Sequence, residues 1–220
     1  MEIALIRVRT LDNIEAVDRH GPLIEKFFPG LRVKCYCIED QPYGIHDARS
    51  EEIARPKVIK LAKKIEGSDA IIVSCAADPG VEELNEELPI PVIGAGKSLA
   101  CISRTLGDSV GAITITDDVP DIVRRELGKH LLAWKKVEGV KTGIDLESEA
   151  NFKNALNAAE ELVRLGSPVI ALACTGFSTI GIAPEICKKL GVPVVDPILA
   201  AGSVAYNLML TREGWNSLKD

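Results

Sequence analysis

The sequence predicts an α/β protein made of two pseudo-symmetric lobes, each a parallel sheet flanked by helices, with a functional site in the cleft between them. Two observations lead to this prediction. Short, nearly continuous apolar runs alternate with amphipathic segments along the whole chain, as is typical of parallel strands buried on both faces. The order of these runs then repeats after about 100 residues, the size of a small domain.

Each half of the chain supplies four predicted strands. They cover residues 3–8, 31–38, 70–74 and 91–93 in the first half, and residues 110–114, 135–140, 169–173 and 193–195 in the second. Amphipathic spacing and capping residues predict the helices between them, at residues 12–28, 50–65, 81–88, 96–106, 118–132, 148–165, 184–190 and 197–210. Pro56 inside the second helix predicts a kink or a later start.

The repeat also predicts the domain boundaries. We expect a first lobe at residues 1–96 and a second at residues 97–196. The C-terminal helix, within residues 197–220, is expected to pack back on the first lobe.

Composition excludes several classes of protein. A net charge of −6 without a basic block, and an aromatic content of 4%, argue against a nucleic-acid partner. The first residues do not have the pattern of a signal peptide, and no apolar run is long enough for a membrane, so we expect a cytoplasmic protein. Three scattered histidines and six cysteines without a C-x-x-C pair argue against a metal site.

Two stretches resemble each other and carry the candidate chemistry. An apolar run introduced by Gly67-Ser68 ends at Cys75, and one introduced by Gly166-Ser167 ends at Cys174. In both stretches the cysteine stands eight residues after the glycine and is followed by turn-forming residues. Ligands of open α/β sheets bind outside the carboxyl ends of strands. We therefore expect Cys75 and Cys174 to face one another across the cleft.

Two facing thiols can invert a carbon acid, because one removes a proton and the other returns one to the opposite face. We expect backbone amides of the following turns to lower the thiol pKa values and to hold the substrate's oxygens. This predicts a substrate cradle, formed by Ala76, Ala77, Asp78, Thr175 and Gly176. The alternative, two buried strand cysteines, is disfavoured by their recurrence at equivalent places. The other four cysteines, Cys35, Cys37, Cys101 and Cys187, lack this placement and are predicted to be buried structural residues.

Further polar residues follow the first strand of each lobe. Arg9 is predicted to meet an anionic group and Thr116 to contact substrate, with solvated loop residues as the alternative. Asp78 could instead cap a turn. Residues 94–98 match half of a phosphate loop, but Pro91 occupies the place of the required glycine. A helix N-terminus with Lys97 in solvent is favoured there over a nucleotide site.

These motifs resemble the aspartate/glutamate/hydantoin racemase superfamily, and most closely its hydantoin racemase branch. Residues 74–80, Ser-Cys-Ala-Ala-Asp-Pro-Gly, resemble the Cys-x-x-Asp-Pro-Gly element of that branch, and residues 173–177, Ala-Cys-Thr-Gly-Phe, resemble its second cysteine motif. The Pro-Val-Val-Asp-Pro segment at residues 193–197 is also similar. One departure is Arg-Val-Arg-Thr at residues 7–10, where hydantoin racemases carry an Asn-Pro-Asn-like segment that contacts substrate.

The resemblance implies a cofactor-independent racemase or epimerase that uses Cys75 and Cys174 as acid and base. Its implied substrate is a small molecule, a 5-substituted hydantoin or an amino acid, and a homo-oligomer is compatible with the sequence. Two alternatives stay open. One is a decarboxylase or isomerase of the same superfamily, and the other is a non-catalytic protein that binds a small ligand in the same cleft.

Overall fold

Two four-stranded parallel sheets form the framework of the protein. The computed structural model describes residues 1–14 and 18–214. The first sheet has the order β2-β1-β3-β4 and the second the order β6-β5-β7-β8. The strands are β1 Glu2–Arg7, β2 Arg32–Cys37, β3 Ala70–Ser74, β4 Val92–Gly94, β5 Val110–Thr114, β6 Leu131–Lys136, β7 Val169–Leu172 and β8 Val194–Val195. The identical strand order shows that the two lobes are structural repeats, and the predicted two-lobed α/β fold is confirmed.

Nine helices connect and cover these strands within the described residues. They are α1 His20–Phe27, α2 Ala48–Ala62, α3 Val81–Glu87, α4 Ala95–Leu106, α5 Asp121–Leu127, α6 Glu149–Arg164, α7 Gly176–Ile180, α8 Ala183–Leu190 and α9 Pro197–Met209. A π-helical turn, Leu210–Gly214, follows α9. No helix in the described ranges combines the length and the apolar character that crossing a membrane requires.

Some element boundaries differ from the sequence prediction. Strand β6 begins at Leu131 and not at residue 135, because α5 stops at Gly128, whose φ of 50° no longer continues a helix. Helix α2 runs through Pro56 without interruption. The helix predicted at residues 12–28 is described from His20 onward, and part of it, residues 15–17, lies outside the described residues.

Two helices cross between the lobes. Helix α4 follows the last strand of the first sheet, yet its Leu99 and Ala100 pack with Val110 and Ala112 of the second sheet. Helix α9 follows the last strand of the second sheet, but its apolar face packs on the first sheet, against Ile3, Leu5 and Ile72. The residues of α9 in this contact are Ile198, Ala201, Ala205 and Met209. This exchange buries apolar surface of each helix against the opposite lobe, which joins the lobes into one body.

The position of the domain boundary at residues 96 and 97 stays a prediction. Residues 215–220 of the expected C-terminal segment lie outside the described residues.

Candidate active site

The two cysteines stand at equivalent ends of the two sheets. Cys75 directly follows β3, and Cys174 follows β7 after one residue, Ala173. Both line one cavity of about 90 Å³ between the lobes. They are close enough that negative charge on Cys174 would raise the pKa of Cys75. The structure therefore brings together the two residues that the sequence repeat singled out.

Asp78 shapes the turn that carries Cys75. Its backbone has a φ of 50°, a left-handed conformation, and its amide donates to the carbonyl of Cys75 at 3.1 Å. The buried carboxylate accepts hydrogen bonds from the amides of Gly96 and Lys97, both at 2.7 Å. Burial raises the pKa of Asp78 to about 7, although the amide bonds act to lower it. The side chain therefore caps the N-terminus of α4, the helix that crosses to the second lobe.

Two glycines allow this close approach. A Cβ on Gly94 would lie 2.1 Å from Oδ2 of Asp78, and one on Gly96 would lie 2.1 Å from the carbonyl oxygen of Ala76. The glycines of residues 94–98 thus serve packing against the cysteine turn. The start of α4 is occupied by Asp78, and Lys97 is exposed, so this segment is not a phosphate loop.

The second cysteine turn is anchored in a related way. The amide of Gly176 donates to the Sγ of Cys174 at 3.4 Å. Four residues after the cysteine, the Ser178 hydroxyl donates to the Asp196 carboxylate at 2.8 Å. Asp196 caps α9, accepting from the amides of Ile198 at 2.8 Å and Leu199 at 3.0 Å. In each lobe the cysteine turn is therefore bonded to the start of the helix that crosses to the other lobe.

Both thiols are held mainly in the neutral form. Burial raises the pKa of Cys75 and raises that of Cys174 to about 11. The amides of Ala77 and Gly176 act in the opposite direction, and the positive charge of Arg7 further lowers the pKa of Cys174. The expectation that helix amides would make the thiols more acidic than usual is therefore wrong, because lost hydration outweighs these bonds.

A buried histidine bridges the two cysteine segments. His20 is fully buried, and its Nδ1 lies 2.8 Å from the Ser74 hydroxyl while its Nε2 lies 2.9 Å from the Thr179 hydroxyl. Ser74 immediately precedes Cys75, and Thr179 lies in the helix that follows Cys174. Burial lowers the pKa of His20 well below its usual value, so the ring is neutral and one nitrogen donates while the other accepts.

Six of the seven predicted substrate residues line the cysteine cavity. These are Ala76, Ala77, Thr175, Gly176, Arg9 and Thr116. Asp78 does not line it, and its assignment to the substrate cradle is corrected, because both carboxylate oxygens are bound to the amides of α4. The Thr175 hydroxyl also donates to the carbonyl of Ser74 at 3.4 Å, which adds a second contact between the lobes.

Three further residues of the site, Tyr43, Glu147 and His20, carry no sequence signal that would have identified them. Tyr43 lines the cavity from a loop of the first lobe, and Glu147 lines it from a 3₁₀-helical turn of the second lobe, Asp145–Glu147. His20 is separated from Ser74 by 54 positions and from Thr179 by 159. The internal repeat could have pointed to Ser74 and Thr179 by their proximity to the cysteines, but nothing local indicates a partner for them.

The cysteines outside the site are free, like all six. Cys101 and Cys187 are exposed on helices, so the expectation that they are buried structural residues is wrong for these two. Among the described residues, no group of three or more His, Cys, Asp or Glu side chains is arranged to hold a metal ion.

Comparison with known proteins places this chain in a family. A family model described as Asp/Glu/Hydantoin racemase matches residues 24–205. A hydantoin racemase of Paenarthrobacter aurescens is 29% identical over 157 residues, which are 69% of this chain and 66% of that protein. This chain thus spans slightly less than two thirds of that relative.

Two solved structures share the fold. An allantoin racemase from Pseudomonas fluorescens has a TM-score of 0.82 at 23% identity, over 97% of this chain and 92% of that one. A glutamate racemase from Thermus thermophilus has a TM-score of 0.63 at 20% identity, over 96% and 81% of the two chains. With a family match over most of its length, the chain belongs to the Asp/Glu/Hydantoin racemase family of enzymes.

Proposed function

We propose that this protein is a cofactor-independent racemase or epimerase that inverts a small carbon acid, either a 5-substituted hydantoin or an amino acid. The observation that carries the proposal is the placement of Cys75 and Cys174 at matching strand ends of two repeated lobes, on one shared cavity. The hydantoin racemase among its relatives supports the substrate class.

The reaction needs one thiolate and one thiol at the same time. The thiolate takes the proton from the carbon beside the carbonyl, and the thiol gives its proton to the opposite face, so the two sulfurs exchange protonation states in each turnover. Each thiolate is favoured by one amide, but Cys174 has the lower pKa of the pair because Arg7 also favours its thiolate, whereas the charges of Cys174 and Asp78 disfavour that of Cys75. Negative charge on one sulfur disfavours negative charge on the other, so the pair stays as one thiolate and one thiol.

The negative charge that develops on the substrate's carbonyl oxygen requires hydrogen-bond donors in the cavity. We assign this role to the amides of the two cysteine turns, and to the Thr175 and Thr116 hydroxyls once the substrate oxygen replaces their present acceptors, the carbonyls of Ser74 and Asp118. Closing of the cleft over the bound substrate would exclude water and complete the site, and we expect such a movement of the two lobes.

Hydrogen exchange at the stereocentre tests the mechanism. Each enantiomer of a 5-substituted hydantoin is incubated in D₂O with the wild type, Cys75→Ser and Cys174→Ser, and with Cys101→Ser as a control on an exposed cysteine. We expect deuterium in the product and full activity of the control, with at least 100-fold slower racemisation in both site variants. Undiminished racemisation in either site variant would exclude the two-thiol mechanism.

The same assay separates the remaining alternatives. Activity must persist after treatment with chelator and in protein free of pyridoxal phosphate, and a requirement for either would contradict the proposal. Binding of hydantoins without any exchange would indicate a ligand-binding protein.

A further inference from the structure

A second, larger cavity opens beside the two cysteines. It has a volume of about 410 Å³ and lies between Arg9, Arg19, Pro42 and Ile144. We call it the side-chain cavity. Several of its lining residues also line the cysteine cavity, namely Arg7, Arg9, Tyr43, Glu147 and Thr179. A molecule bound at the thiols can therefore extend into it.

The guanidinium of Arg7 at this junction already has a carboxylate partner. Its guanidinium is buried and forms an ion pair with the buried carboxylate of Asp18. The pKa of Asp18 stays below its usual range because a hydrogen bond from Cys35 and the charge of Arg7 outweigh its burial. Arg7 is thus held in place as part of the protein framework.

Arg9 is different, because nothing in the described part of the chain pairs with it. Its Nε is buried without a hydrogen-bond partner, and no ion pair involving its guanidinium occurs among the described residues. A buried donor without a partner is unfavourable by about 1–3 kcal/mol. The acidic residues of the side-chain cavity, Asp12 and Glu147, are exposed and form no bond with Arg9.

We infer that the side-chain cavity binds the side chain of the substrate and selects one that ends in a carboxylate, with Arg9 as its partner. The inference rests on the proposed racemase function and adds the substrate class. A guanidinium presents a planar set of donors that matches a carboxylate, so such a ligand would satisfy the orphaned Nε. Arg19, which lies on the same cavity and donates to the Thr179 carbonyl at 3.4 Å, adds positive charge.

Two substrates that differ in charge but hardly in shape test this specificity. They are 5-(2-carboxyethyl)hydantoin and its amide, 5-(2-carbamoylethyl)hydantoin. For the wild type we expect kcat/KM at least tenfold higher for the carboxylate. In Arg9→Gln this value should fall about 10- to 100-fold for the carboxylate and less than threefold for the amide, as expected for the loss of a charge-assisted hydrogen bond.

The control is Arg164→Gln, which removes the same charge from an arginine on α6 whose side chain is 75% exposed and paired with Glu160. It should leave both values unchanged. Equal rates for the two hydantoins in the wild type, or an equal loss for both in Arg9→Gln, would overturn the inference while leaving the racemase function in place.

Binding measured by calorimetry distinguishes a failure of the anionic side-chain specificity from a failure of the racemase function. If the carboxylate binds more tightly than the amide and the difference disappears in Arg9→Gln, the inference holds even without turnover. Absence of deuterium exchange with both compounds would then count against the proposed function alone. Equal affinity of the two compounds for the wild type would count against the anionic side chain.

Discussion

Replacing His20 by phenylalanine tests whether the buried imidazole holds the two cysteine segments together. The ring is fully buried, and the substitution removes its bonds of 2.8 Å to Ser74 and 2.9 Å to Thr179. The buried Ser74 hydroxyl then loses its partner at a cost of about 1–3 kcal/mol, and the half-buried Thr179 hydroxyl loses its partner at the cavity wall. We expect His20→Phe to lower the free energy of unfolding by about 2–4 kcal/mol, measured by urea denaturation.

The effect on catalysis should exceed what loss of stability explains. Ser74 is bonded to Cys75 through the backbone, and Thr179 lies in the helix after Cys174, so the imidazole sets the relative position of the thiols. A misplacement of about 1 Å can reduce a rate 100-fold. At a temperature where the variant is fully folded, we expect kcat to fall about 100-fold with KM changed less than threefold. His20→Asn, which can keep the bond to Ser74, should recover part of the loss.

The neutral state of His20 adds a test by pH. Its pKa is lowered in the folded protein, so below about pH 6.5 the unfolded chain takes up a proton that the folded chain does not. The wild type therefore loses about 1 kcal/mol relative to His20→Phe as pH falls from 6.5 to 5.5. Comparing the two proteins cancels the titration of Asp78, which is present in both.

His130→Gln serves as the matched control, because this partly exposed histidine binds the Asp108 carbonyl at 2.8 Å outside the cleft. It should leave kcat unchanged. If His20→Phe reduced stability as expected but kept the wild-type kcat, the imidazole would be a packing residue and its role in positioning the thiols would be refuted.

Three further predictions concern the cysteine turns. Gly96→Ala places a Cβ 2.1 Å from the carbonyl oxygen of Ala76, so we expect a loss of about 1–3 kcal/mol in unfolding free energy and a fall in kcat, by denaturation and kinetics. Asp196→Ala removes the cap of α9 and the partner of Ser178, so we expect it to lower the free energy of unfolding by about 2 kcal/mol. Asp196→Asn should lower it less, and equal losses in the two variants would contradict the capping role. Burial raises the pKa of Cys174 to about 11, so its thiolate fraction rises tenfold for each pH unit below that value. We therefore expect kcat/KM to increase about 100-fold from pH 7 to 9, and a flat pH profile would contradict this.

The amino-acid sequence by itself determined the two-lobed α/β fold and the pair of cysteines. The apolar runs that end at Cys75 and Cys174, and the turn residues after them, are local patterns, and their recurrence showed that the chain is built from a repeat. The boundary of β6 was missed because strand β6 is half-exposed and alternates in burial, which weakens the signal of a fully buried strand.

Only the tertiary structure decided how the site is held together. Asp78, which the motif suggested as a substrate ligand, caps α4, because the amides of Gly96 and Lys97 reach it from 18 and 19 positions further along the chain. His20 bridges the two cysteine segments because the hydroxyls of Ser74 and Thr179, which lie in different lobes, both bond to its ring. Such contacts depend on which strand ends and crossing helices the fold brings together, and neither composition nor periodicity contains that information.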